Sequence, residues 1–134
     1  MSDISWEYVK PLKSKNLIDD FERENNISFP EDLKNCLIKN NGGRPSKNIF
    51  DAKRSKENVF KALLSFNKSD PETIYMVYSV LNEEKNGLIP FASDPGGDFI
   101  CIYKNEVVLY SHETGKIEKA AASFTELLSK LYLL

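Results

Sequence analysis

Two apolar runs, split by a short polar stretch, constrain this chain most. Phe99-Ile100-Cys101-Ile102-Tyr103 and Val107-Val108-Leu109-Tyr110 flank Lys104-Asn105-Glu106. A two-residue turn at Lys104-Asn105 makes them a hairpin. It pairs Tyr103 with Glu106, Cys101 with Val108, Phe99 with Tyr110 and Gly97 with His112. Consecutive residues are apolar instead of alternating, so both faces of the hairpin need cover. The predicted helices are short. They are expected to cover one face fully and the other in part, leaving an apolar patch rimmed by charge.

The hairpin extends to a meander. Residues 88–93 read as a strand and residues 98–103 as the next. Asp94-Pro95-Gly96-Gly97 between them suits a type II turn, in which a central glycine takes positive φ. Glu113-Thr114-Gly115-Lys116 turns into a last strand near residues 117–121. Residues 58–66 read as a further strand upstream.

Four helices are predicted. The first covers residues 14–25, capped by Ser14, with Leu17, Ile18 and Phe21 at helical spacing. The second opens at Pro30 as a first-turn proline, with Glu31 and Asp32 complementing the helix dipole. Leu33, Cys36 and Leu37 form its inner face, and Asn40-Asn41-Gly42-Gly43 ends it. The third begins at Asp70-Pro71 and carries Ile74, Val77, Tyr78 and Leu81; its β-branched and aromatic content leaves a strand open. The fourth has a capping box at Ser123 and Glu126, with Phe124, Leu127, Leu128 and Leu131 inward. Helices grouped at the two ends of an antiparallel sheet give an α+β fold.

The 134 residues are expected to form one domain, 1–134, large enough to need no disulfide or metal staple. A net charge of −2 argues against a dedicated nucleic-acid binder. The start, Met1 to Trp6, lacks the features of a secretory signal, and no run is long enough to span a bilayer. A cytoplasmic protein is expected. Cys36 and Cys101 then read as reduced core thiols, with a bridge between them the alternative.

The hairpin register gathers Asp94, Asp98, His112 and Glu113 at one end of the meander. Such residue types can build a metal site or a His–Asp acid–base pair. They can equally satisfy turn backbone groups, or form a polar rim for a protein partner. His112 is the only histidine and no nucleophile is placed beside it. Neither Gly42-Gly43 nor Gly96-Gly97 has the lysine and hydroxyl of a nucleotide loop. Trp6 reads as a packed aromatic or a partner contact. Tyr75, Tyr78, Phe99, Tyr103 and Tyr110 are assigned to the core. A binding protein is expected, not an enzyme, with no cofactor and no metal.

Four segments, in order, resemble the SUKH superfamily, the Smi/Knr-like family of bacterial immunity proteins and fungal cell-wall-synthesis regulators. They are Ile27-Ser28-Phe29-Pro30-Glu31-Asp32-Leu33 with Asn41-Gly42-Gly43; Ile89-Pro90-Phe91-Ala92-Ser93-Asp94 with Gly96-Gly97-Asp98-Phe99; Val108-Leu109-Tyr110-Ser111-His112-Glu113; and Ala121-Ala122-Ser123-Phe124. Asp98 departs from the family's frequent asparagine, and Ser111 from its frequent aspartate. The resemblance implies an immunity protein that binds and neutralises a cognate toxin protein, with a nuclease domain the expected target. Contact residues are expected at Trp6, Asp94, Asp98, His112 and Glu113. No direct nucleic-acid or membrane partner is expected. The rivals are a non-catalytic regulatory scaffold and a small hydrolase using Asp94, Asp98 and His112.

Overall fold

A computed structural model describes residues 3–83 and 87–134. The chain runs β1 (Trp6–Glu7), α1 (Leu17–Asn25), α2 (Glu31–Asn40), β2 (Arg44–Pro45), β3 (Ile49–Phe50), β4 (Asn58–Val59), β5 (Ala62–Leu63), α3 (Ile74–Asn82), β6 (Ile89–Ser93), β7 (Phe99–Tyr103), β8 (Glu106–Tyr110), β9 (Ile117–Ala121) and α4 (Phe124–Lys130). Strands β5 to β9 form one antiparallel sheet in sequence order, and β1–β2 and β3–β4 are two small antiparallel pairs. The α+β expectation holds. Among the described residues no helix is long and apolar enough to cross a membrane.

The central hairpin has the expected register: Tyr103 opposite Glu106, Cys101 opposite Val108, Phe99 opposite Tyr110. Lys104 and Asn105 both adopt positive φ, 51° and 66°. That is the type I′ turn, whose twist matches the strands it joins. The turn before it differs from expectation. Positive φ falls on Gly97 (+93°), not on Gly96. The reason is that the Asp94 N–H bonds the Asp98 carbonyl, which leaves three residues in the loop instead of two.

Helix starts shift by one to four residues. The Ser14 hydroxyl accepts from the Asn16 N–H, so it serves a local turn outside α1. Pro30 sits just before α2 with extended ψ (146°), and its carbonyl accepts the Lys34 N–H. The third element is a helix and not a strand. Its cap is Thr73, whose hydroxyl accepts from the Met76 N–H. Asp70 is engaged elsewhere, by Ser65 and Asn67. Residues 58–66 do not make one strand. They split into β4, which pairs with β3, and β5, which pairs with β6. In α4 the Ser123 hydroxyl accepts from the Glu126 N–H as expected, but the Glu126 carboxylate reaches Ala122 N–H.

Both sheet faces are covered. On one, Ile100, Ile102, Val107 and Leu109 join Ile18, Phe21, Leu33, Leu37, Phe124 and Leu127 in the main core. On the other, Cys101, Val108 and Tyr110 pack with Leu81 and Val77 of α3. The expected open sheet face is thus closed in its middle by α3. Only its rim residues Phe99, Tyr103 and Ile117 are half-buried. Cys36 is half-buried, Cys101 is buried, and both are free thiols.

Leu128 was expected inward beside Leu127, yet only Leu127 is fully buried; Leu128 is half-buried. Leu127→Ala should therefore cost about 2–5 kcal/mol, and Leu128→Ala about 1–2 kcal/mol because part of its surface already meets water. Urea midpoints of the two variants check this. The reverse order would mean that α4 is rotated about its axis.

Candidate partner-binding site

The register of β7 against β8 carries the two strand ends to one place. At the β6–β7 turn, Asp94 Oδ1 accepts from Gly96 N–H (2.8 Å) and Asp98 N–H (2.9 Å). A short acceptor side chain suits this position because it caps turn amides that lack a strand partner. Asp98 Oδ1 in turn accepts from the His112 N–H at 3.1 Å and lies 2.7 Å from His112 Nδ1. The imidazole lies against Gly97, where a Cβ would stand 3.3 Å from His112 Cε1. Glycine is favoured at 97 by its positive φ, and a Cβ there would also push the imidazole aside by a few tenths of an ångström.

Downstream, the Gly115 N–H bonds the Ser111 carbonyl at 2.7 Å, and the Ser111 N–H bonds the Lys116 carbonyl at 3.0 Å. This second turn leaves Glu113 exposed. Asp94, Asp98 and His112 are thus brought together, and Glu113 follows on the adjoining turn. Asp94 and Asp98 each spend an oxygen on backbone amides, so both shape the loops as well as charging them. Glu113 has no such bond among the described residues.

The chemistry available is narrow. Asp98 can orient the imidazole and, if it is protonated, pair with it. The His112 side chain is 47% exposed, so solvent weakens that pairing. Among the described residues, no three of His, Cys, Asp and Glu converge as metal ligands would.

Trp6 lies elsewhere in its contacts. It is half-buried against the core, with its ring 5.9 Å from Phe60 in a T-shaped pair. Its neighbours do approach the meander. Glu7, Tyr8, Arg44, Lys61 and Leu133 line an open groove of about 460 Å³ together with Pro95 of the β6–β7 turn. Tyr8 is 73% exposed, has φ of 57°, and stacks under Arg44 at 5.3 Å. Sequence reasoning passed over Tyr8. The only signal was a second aromatic two residues after Trp6.

The acidic stretch on α1 is largely tied down. Lys34 bridges Asp19 at 2.7 Å and also pairs with Glu22. The Asp19 bond first, then Glu22, push the Lys34 amine above its ordinary range. Arg23 holds Asp20 at 2.9 Å.

No curated protein matches the chain. The SUKH_6 family model, described as SMI1-KNR4 cell-wall, matches residues 15–128, a span that contains α1 to α3, the meander with both of its turns and the first five residues of α4, and the chain belongs to that family.

Proposed function

We propose that this protein is a non-catalytic binding module that neutralises a cognate toxin domain by covering its active site. One observation carries the reading. Asp94 and Asp98 share one braced turn and Glu113 lies on the adjoining one, and no lysine or arginine pairs with any of them among the described residues. The Asp94 and Asp98 carboxylates, held by amides of their own loops, cost little further ordering on binding. They suit a partner with a basic cleft, which is why a nuclease toxin is the expected target. Family membership supports an immunity role and a regulatory-scaffold role alike.

The test is co-expression with nuclease toxin domains. One domain should be neutralised and unrelated ones should not. Glu113→Lys is the clean variant, because Glu113 makes no bond that the fold needs. It should weaken the complex about tenfold or more at an unchanged melting midpoint. Asp98→Lys is not clean, since it also removes the acceptor of the His112 N–H. Full affinity in Glu113→Lys would move the contact off this end of the sheet. The scaffold reading draws on the family's description as SMI1-KNR4 cell-wall. It predicts a stable cellular partner and no protection from any toxin.

A further inference from the structure

Helix α3 carries no charged residue along its nine positions. Apart from Ser79 and Asn82 its residues are apolar or aromatic, and a helix of that kind is normally enclosed. This one is enclosed on one side only. Met76 is 65% exposed and Val80 63%, and a spacing of four places them in one ridge. Beside the ridge an open groove of about 330 Å³ lies between α3 and α1, walled by Phe21, Tyr75 and Tyr78 together with the polar Asn25, Ser79 and Asn82. The Phe21 ring is 5.7 Å from Tyr75 and 5.3 Å from Tyr78. The Tyr75 hydroxyl donates to the Phe66 carbonyl at 2.7 Å, which fixes that wall.

The charges around the groove have a sign. Burial first, then the carboxylates of Glu24 and Asp20, push the Tyr75 phenol above its ordinary range. Glu83 lines the groove at the end of α3. Two cations are also near: Arg23 pairs with Asp20, and Lys68 lies over the Tyr75 ring at 5.2 Å. Arg23 compensates Asp20, so Glu24 and Glu83 are the carboxylates left for an incoming partner, with Lys68 the cation that opposes them.

We propose that the α1–α3 groove and the Met76–Val80 ridge bind an amphipathic helix of a partner protein, with apolar anchors flanked by lysine or arginine. Nine helical residues span roughly 13 Å, enough for two or three anchors spaced i, i+4 and i+7. The aromatic rings and the Met76–Val80 ridge offer apolar contact, Asn25, Ser79 and Asn82 offer hydrogen bonds, and Glu24 and Glu83 outnumber Lys68 at the rim, which selects a basic helix over an acidic one. A second copy of this chain fits poorly, because α3 has no cation to offer to Glu24 and Glu83 and the one arginine of α1, Arg23, is already paired with Asp20. The inference rests on the reading of this chain as a protein-binding module. It adds a surface built from residues other than Asp94, Asp98 and Glu113.

The test is fluorescence anisotropy with two labelled peptides of about five helical turns. Both carry leucine at i, i+4 and i+7; one is flanked by lysines and its twin by glutamates. The lysine peptide should bind saturably, and the twin about tenfold more weakly or not at all. The double variant Met76→Glu, Val80→Glu should lose about tenfold or more for the lysine peptide. Both positions are exposed, so its melt should be unchanged, and the twin comparison needs no variant. Glu113→Lys should bind the peptide as the parent does. Equal affinity for the twins, or binding that ignores the double variant, overturns the proposal. So does sedimentation that finds a dimer broken by Val80→Glu, which would assign the face to a second copy. Toxin protection is scored on Glu113→Lys and peptide binding on the double variant Met76→Glu, Val80→Glu, so either reading can fail without the other.

Discussion

Asn41→Leu should destabilise the protein by about 3–5 kcal/mol, because each buried polar group left without a partner costs about 1–3 kcal/mol. Asn41 is wholly buried. Its Oδ1 accepts from the Phe66 N–H at 2.8 Å. Its Nδ2 donates to the Lys10 carbonyl at 2.8 Å and to the Ser65 hydroxyl at 3.0 Å. Leucine has nearly the same shape and none of these bonds. The Phe66 N–H would be stranded in a buried place, and the part-buried Lys10 carbonyl would keep only the long bond from Asn67 Nδ2 at 3.5 Å. The melting midpoint should fall by roughly 10–15 °C. The neighbouring Asn40→Ala is the control. Asn40 is half-buried and donates only to the Cys36 sulfur at 3.6 Å, so its loss should cost less than about 1 kcal/mol.

The bonds from Asn41 belong to a network that ties the N-terminal arm to the body. Asn67 accepts from the Lys13 N–H and donates to the Pro11 carbonyl and to Asp70. The Ser65 hydroxyl donates to Asp70 at 2.6 Å. That bond holds the Asp70 carboxyl below its ordinary range, against the burial that opposes it. A carboxyl depressed in the folded state stabilises the fold above its unfolded value, and the contribution is lost as pH falls through the folded one. The network should therefore weaken below about pH 4. Trp6 is the only tryptophan and reports on the arm. In Asn41→Leu its emission should shift to the red at lower urea than the far-ultraviolet circular dichroism does. A cost below about 1 kcal/mol would show that water replaces these bonds freely.

Asn41 shows where sequence reasoning stops. Asn40 and Asn41 are adjacent and alike, and both read as the end of α2. Only the long-range contacts to Lys10, Ser65 and Phe66 make one structural and the other not. Ser14 and Asp70 teach the same thing. Each is a good cap by residue type. Ser14 is taken by its own local turn and Asp70 by Ser65 and Asn67, so the helices start later. By contrast, the hairpin register could be read because it depends only on the Lys104-Asn105 turn and an unbroken count along two strands. The clustering of Asp94, Asp98 and His112 follows from that register. Which of them are bound up in loop geometry does not, because it depends on side-chain hydrogen bonds across 14 residues, from Asp98 to His112. The cover supplied by α3 was not legible either. Its uncharged sequence fits a core helix, and only the tertiary arrangement turns Met76 and Val80 outward.

Phe91→Ala should cost about 3–5 kcal/mol, at the high end for a core aromatic. Phe91 is 1% exposed and sits on β6 at the middle of a run of T-shaped pairs. Trp6 meets Phe60 at 5.9 Å, Phe60 meets Phe91 at 6.3 Å, and Phe91 meets Phe124 at 5.6 Å. The run joins β1, the loop before β5, the sheet and α4. Removing its middle ring opens a cavity between elements that no single backbone ladder connects, so the walls cannot close by a small slide. Phe124→Ala removes the end of the run, where α4 can settle toward the sheet, and should cost less. Edge-to-face pairs contribute about 0.5–1.5 kcal/mol beyond burial, so the double variant should cost less than the sum of the singles by about that amount. Guanidinium denaturation of the two single variants and the double one gives all three quantities. Strict additivity would mean that the rings fill space independently and that the run is only a consequence of close packing.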